Sequence, residues 1–247
     1  GVEYIQWPES YPIDCEAFMK DNSGKYVKYL WDPNSYINIM VYNFTTEPNS
    51  NSVTLGISHI PFSTTGKHYL EGLGETDYSH LTLANLQFPL SVSINSLYIN
   101  EESTPTEYST ADIAVTLAHE LGHYLGLHHV FAETDNGTCE DTDYCKDTKS
   151  YNKQEYDSKC DYIYENEREK YTFKNLVKRT GCDGIEFISY NIMDYAISYS
   201  NQFTQNQRER IRHVLSYSPL IPGPKKGDID TRALNEGPLD LPIRTIK

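Results

Sequence analysis

A chain of 247 residues, 38% of them hydrophobic, is long enough to bury a sizeable core as one two-lobed domain or as two domains. Its 35 acidic against 21 basic residues leave a net charge of −14, which argues against nucleic acid or an anionic membrane as partner and leaves carboxylates over for cations. No stretch approaches the ~20 consecutive apolar residues of a membrane-spanning helix, and no signal peptide is visible.

The first residues, GVEYIQWPE, read as a strand entering the fold. Asp14 to about Lys28 can hold a short helix, with Gly24 as its breaker. INIMVYNF (37–44) alternates Ile37, Ile39 and Val41 with Asn38 and Met40, the period of a strand. VTLGISHIPF (53–62) is a second strand closed by Pro61, residues 63–80 read as a loop, and SVSINSLYIN (91–100) is a third strand. A helix then begins at Ser109 or Thr110, with Asp112 in its first turn, where negative charge suits the helix dipole. Ala114, Leu117, Ala118, Leu121 and Leu125 form its apolar stripe and Gly126 its stop. Residues 130–185 are polar, acidic and rich in turns, with Glu165–Lys178 as a possible helix, and 187–203 reads as buried but irregular. FTQNQRERIRHVLSY (203–217) is an amphipathic helix with Thr204 as N-cap and Ile211, Val214 and Leu215 inward. The stretch from Ser218 carries five prolines and three glycines and reads as an extended strap over the surface.

The chain has five cysteines: Cys15, Cys139, Cys145, Cys160 and Cys182. The last four fall in one loop-rich region, which suggests two disulfides there, an oxidising compartment and an unpaired Cys15. Spacing alone does not choose among the three pairings that four cysteines allow.

Four of the eight histidines lie between positions 119 and 129, in HELGHYLGLHH. His119 and His123 are four apart on one helix, so both rings project from one face and can share a tetrahedral cation. Glu120, beside the first ligand, can reach a water on the metal without ligating the metal itself. His129 lies six residues beyond His123, and a continuing helix would turn it about 240° away. The chain must therefore leave the helix at Gly126, where positive φ has no steric cost. His128, one residue short, should point elsewhere. Three neutral imidazoles leave a zinc ion its full charge and one open position, where the pKa of water falls to roughly 7. Glu120 would then act as general base and return the proton to the leaving amine. His59, His68, His80 and His213 are isolated and read as ordinary histidines.

The pattern HExxHxxGxxH, His119 through His129, resembles that of the metzincins, and NIMDY (191–195) resembles their Met-turn. The resemblance implies Met193 beneath the zinc site and Tyr195 close to the metal, stabilising the oxyanion. Among metzincins the chain is most similar to the pappalysins, and to zinc-dependent metalloproteinase lipoproteins of Bacteroides-type bacteria. WDPNSYINIMV (31–41), TLGISHIPF (54–62), Val130 and Phe131 after the zinc motif, and NQFTQNQRERIR after the Met-turn carry this similarity over roughly residues 26–217. Three departures stand out. GVEYIQW resembles an inner strand, as though a preceding strand and helix were missing. AISYSNQ lacks the cysteine usual after that family's Met-turn, so the family's disulfide pairing does not transfer. The same stretch lacks the acidic residues that favour basic side chains after the scissile bond. Glu133, Asp135, Glu140, Asp141, Asp143 and Asp147 crowd one loop. Asp135, Asp141 and Asp143 are the candidate calcium ligands there, weighed against an ordinary solvated acidic loop.

The resemblance implies an α+β fold: a two-lobed metzincin catalytic domain over residues 1–217. Residues 1–126 would give an upper lobe with a twisted, mostly parallel sheet and the active-site helix. Residues 127–217 would give an irregular lower lobe with the Met-turn, and 218–247 an extended tail. It implies a zinc-dependent endopeptidase that binds a peptide extended in the cleft between the lobes. The protein would be monomeric and extracytoplasmic, with a lipid anchor conceivable in a precursor. Two other classes of function compete: a zinc-retaining, non-catalytic binding or adhesion module, and a hydrolase of a non-peptide amide. Glu120 and the undegraded motif speak against the first, and the metzincin resemblance against the second.

Overall fold

The structure, a computed structural model, describes residues 1–45, 53–78, 80–104, 108–133, 138–195, 197–226 and 243–246. The fold is α+β and divides into two compact units, Gly1–Gly126 with Arg212–Lys247, and Leu127–Ile211.

The first unit is built on strands β1 (Ile39–Tyr42), β2 (Gly56–His59), β5 (Val92–Asn95) and β8 (Ile243–Ile246), ordered β1-β5-β2-β8. β1 runs parallel to β5, and β2 runs antiparallel to both β5 and β8, so the sheet is mixed. Successive side chains of a strand point to opposite faces. Ile57 packs with Phe18, Met19 and Tyr42, around helix α1 (Cys15–Lys20). Val92 and Ile94 join Ile60, Leu90 and Val214 in a second core, against which Leu117, Leu121 and Leu125 of helix α2 (Ile113–Tyr124) pack. Helix α1 starts where Asp14 Oδ1 accepts from the Ala17 N–H at 2.9 Å. It ends at Lys20 rather than near Lys28, because the chain turns extended at Asp21.

The region expected to be a loop, 63–80, instead carries β3 (Phe62–Thr64) and β4 (Gly74–Thr76) as a parallel pair. The first seven residues form no strand, and Trp7 stacks on Tyr26 at 5.2 Å. The C-terminal stretch is tied to the fold more closely than a surface strap. Leu220 and Ile221 are buried in the core, and Ile243–Ile246 adds β8 to the sheet.

His59 is buried among main-chain groups. Its Nε2 lies 3.1 Å from the Met19 carbonyl, which can only accept, so Nε2 carries the proton. The ring's Nδ1 then accepts from the Ser91 N–H at 3.3 Å. Burial lowers the imidazole pKa to about 4, so the ring is neutral at pH 7.

The second unit contains α3 (Lys153–Asn166), α4 (Phe173–Leu176) and the antiparallel pair β6 (Lys178–Thr180) and β7 (Glu186–Ile188). The helix expected over Glu165–Lys178 is broken into pieces there: α3 ends at Asn166, a 3-10 turn spans Arg168–Lys170 and α4 follows. Helix α5 (Gln205–Tyr217) follows, with Thr204 Oγ1 accepting from the Gln207 N–H at 3.2 Å. Val214 is buried as expected, but Leu215 is exposed. Leu127, Val130, Phe131, Tyr151 and Met193 form this unit's core.

One disulfide, Cys139–Cys182, replaces the two expected. Cys145 is turned into the interior as a free thiol, its pKa pushed up to about 12 chiefly by burial. Cys160 is also free and sits on α3 beside Tyr156. Cys15 is free, as its isolation in the sequence suggested. Among the described residues no helix is long and apolar enough to cross a membrane.

Candidate metal centre

Helix α2 begins one residue after Asp112, later than Ser109 or Thr110. The Asp112 carboxylate is the cap, with Oδ1 accepting from the N–H groups of Ala114 (2.9 Å) and Val115 (3.2 Å). The apolar side of α2 faces the core, and His119, Glu120 and His123 share a second, fully buried side. His119 Nε2 and His123 Nε2 lie 3.1 Å apart. Two ligands on a tetrahedral zinc at about 2.05 Å would lie about 3.3 Å apart, close to that separation.

The helix closes where the Leu125 N–H reaches the carbonyls of Leu121 and Gly122 at 3.0 and 3.2 Å. Gly126 then takes φ +90°, and a Cβ there would meet Val214 Cγ2 at 2.7 Å. Both the backbone and the packing demand glycine at this point. The chain leaves the helix axis, and His129 returns to His119 and His123. One ligand atom from each of the three lies within 4.8 Å of the others. All three residues are buried, and among the described residues no other such group of His, Cys, Asp or Glu forms. Three imidazoles with no carboxylate among them suit a borderline-soft divalent ion such as zinc and leave one position of a tetrahedron open.

His128 stays outside this group. Its Nδ1 is 3.9 Å from Glu133 Oε2, and its ring meets Tyr144 edge-on at 5.3 Å. Glu133 also hydrogen-bonds His129, Nδ1 of the ring donating to Oε1 when that nitrogen carries the proton. No sequence pattern points to this contact, because Glu133 follows the motif in irregular chain where spacing says nothing of direction.

Glu120 stands against β2. A Cβ on Gly56 would lie 2.6 Å from Glu120 Cγ, so this approach requires a residue without a side chain. Met193 is fully buried, and its carbonyl accepts from the Val130 N–H at 3.2 Å, directly after His129. The Tyr195 ring packs edge-on against His129 at 4.7 Å. The turn carrying both residues is held by Asp194. Its carboxylate accepts from Tyr151 Oη (2.5 Å), the Tyr195 N–H (2.8 Å) and Ser189 Oγ, and pairs with Arg179 at 3.3 Å. Arg179 and Asp194 are both buried and were not singled out in the sequence, where neither belongs to a ligand pattern.

Of the candidate calcium ligands, Asp135 lies outside the described residues. Asp143 is buried, its N–H reaches Asp141 Oδ1 at 3.2 Å, and burial followed by repulsion from Asp141 raises its carboxyl pKa to about 7. Neither residue joins a group of three potential ligands among the described residues.

A buried three-histidine centre with a neighbouring glutamate, set in an α+β fold, defines a metallopeptidase-type site. The chain belongs to the peptidase M43 family, described as pregnancy-associated plasma protein-A, which it matches over residues 21–216. This bears out the pappalysin-like resemblance read from the zinc motif. An extracellular metalloprotease of Arthroderma benhamiae is 37% identical over 97 residues, covering 39% of this chain and 29% of that protein. One from Arthroderma otae is 38% identical over the same length and the same shares. The chain thus spans less than a third of these curated relatives. Mature mirolysin of Tannerella forsythia, solved in complex with a cleaved peptide, aligns with a TM-score of 0.46 at 21% identity, over 78% of this chain and 58% of that one.

Proposed function

We propose that the chain is a secreted zinc-dependent endopeptidase in which His119, His123 and His129 hold the metal and Glu120 is the general base. The observation that carries this reading is the convergence of three buried histidine nitrogens within 4.8 Å, with Glu120 beside the first of them on α2. Zinc at these nitrogens would supply Lewis acidity and lower the pKa of a water to about 7. Glu120 takes a proton from the attacking water and hands it to the leaving amine. The Tyr195 hydroxyl donates to the carbonyl oxygen as negative charge builds on it. Glu133 accepts from His129 Nδ1, which fixes the tautomer and leaves Nε2 as the ligand nitrogen. Met193 and the Asp194 network hold the turn that presents Tyr195. The peptide substrate adds as an extended strand at the outer edge of β2, where main-chain pairing supplies affinity.

Metal content measured on purified single variants tests the ligand assignment. His119→Ala, His123→Ala and His129→Ala should each lose zinc and peptide cleavage together, whereas His128→Ala should keep both. A zinc-free His128→Ala beside a zinc-loaded His129→Ala would overturn it.

A further inference from the structure

The outer edge of β2 is not open in this chain. β8 pairs antiparallel with β2 over four residues: His59 with Ile243, Ser58 with Arg244, Ile57 with Thr245 and Gly56 with Ile246. The register matters because Gly56 is the residue against which Glu120 rests. Neighbouring strands lie about 4.8 Å apart. Backbone paired opposite Gly56 is therefore one strand spacing from the strand that touches Glu120. β8 also lies against α2, the helix that carries His119, Glu120 and His123. Those three side chains have 0% exposure, although a group that acts on a polypeptide must be reached by one.

We propose that the chain's own C-terminal segment, Ile243–Ile246, occupies the strand-accepting edge of β2 and competes there with peptide substrate. The competition rests on the endopeptidase reading above; the occupancy of the edge does not. Main-chain hydrogen bonding is largely indifferent to side chains, so a strand of this chain and a strand of substrate can use the same edge. Four paired residues bind weakly by themselves. Covalent attachment offsets this, because a tethered segment reaches effective concentrations on the order of millimolar. The device is reversible: a tight substrate displaces β8, and β8 returns when the substrate leaves.

The test compares the full chain, a chain ending at Lys226, and the full chain carrying Thr245→Pro, which disfavours the strand while keeping the tail. Circular dichroism and zinc content first establish that all three are folded and loaded. Steady-state cleavage of a fluorogenic peptide should show KM about tenfold lower in both variants, with kcat within about twofold. A fluorescent peptide of residues 242–247 should bind the shortened chain and not the full chain. Unchanged or higher KM in both variants, or labelled peptide binding equally to both chains or to neither, overturns the proposal. If no form cleaves any peptide, the endopeptidase reading and the competition fall. Occupancy of the edge is then still decided by the labelled peptide alone. Should the shortened chain not fold, the Thr245→Pro chain serves in both assays.

Discussion

Glu133 touches His129 through a hydrogen bond that no motif announces. A carboxylate on the far nitrogen of a ligating imidazole fixes ring orientation and raises ligand basicity, and losing such a partner typically costs 10- to 100-fold in metal affinity, as an order of magnitude. Glu133→Ala should therefore weaken zinc binding by about that factor in chelator competition on folded protein, while Glu133→Gln, which keeps an acceptor oxygen, loses less. Equal zinc affinity in wild type and Glu133→Ala would remove Glu133 from the site. His119, Glu120, His123, Gly126 and His129 were legible in the sequence because helix periodicity and the freedom of glycine determine where their side chains go. Glu133 and Gly56 were not, because each matters through one tertiary contact. The backbone of β2 must first be placed against α2 before the absence of a side chain at Gly56 means anything.

The elements follow the same division. The strand at 39–42 and helices α2 and α5 were legible because their apolar residues recur with the period of the element. The β3–β4 pair was not, since three-residue strands are too short to show a period. The start of α2 was placed too early because Ser109, Thr110 and Asp112 are all good caps. Geometry selects Asp112, whose carboxylate also accepts from the Ser103 N–H at 2.7 Å. Cysteine pairing was the least legible feature. Four cysteines suggested two bridges, and only Cys139 and Cys182 are joined, with Cys145 facing the interior. Thiol titration of the denatured, non-reduced protein should then find three free thiols, Cys15, Cys145 and Cys160. Reducing the remaining bridge should lower unfolding stability by about 2–4 kcal/mol. A single free thiol would restore the two-bridge arrangement.

For the molecule as a whole, the α+β class and the family were legible from strand and helix patterning together with the zinc motif, because local signals sufficed. The mixed sheet order was not, because the end of the chain enters the sheet from more than a hundred residues beyond β5. The folded state also carries a pH sensitivity that only burial reveals. Folding lowers the His59 pKa from 6.5 to about 4, so the unfolded chain takes up a proton first as pH falls. This contribution to stability is full above pH 6.5 and is lost as pH falls toward about 4. Between pH 7.5 and 5 it amounts to about 2 kcal/mol. Urea unfolding of wild type and His59→Gln at the two pH values should show that extra loss in wild type alone, and parallel losses would contradict it. In the proposed mechanism three histidines hold the metal while Glu120 performs the proton transfer without holding it, and Glu120→Gln separates these roles. Zinc content and peptide turnover measured on the same preparation should show a full complement of metal with kcat lower by at least about 10²–10⁴-fold. Zinc-loaded Glu120→Gln with near-wild-type turnover would contradict the mechanism, and loss of zinc would make Glu120 a ligand.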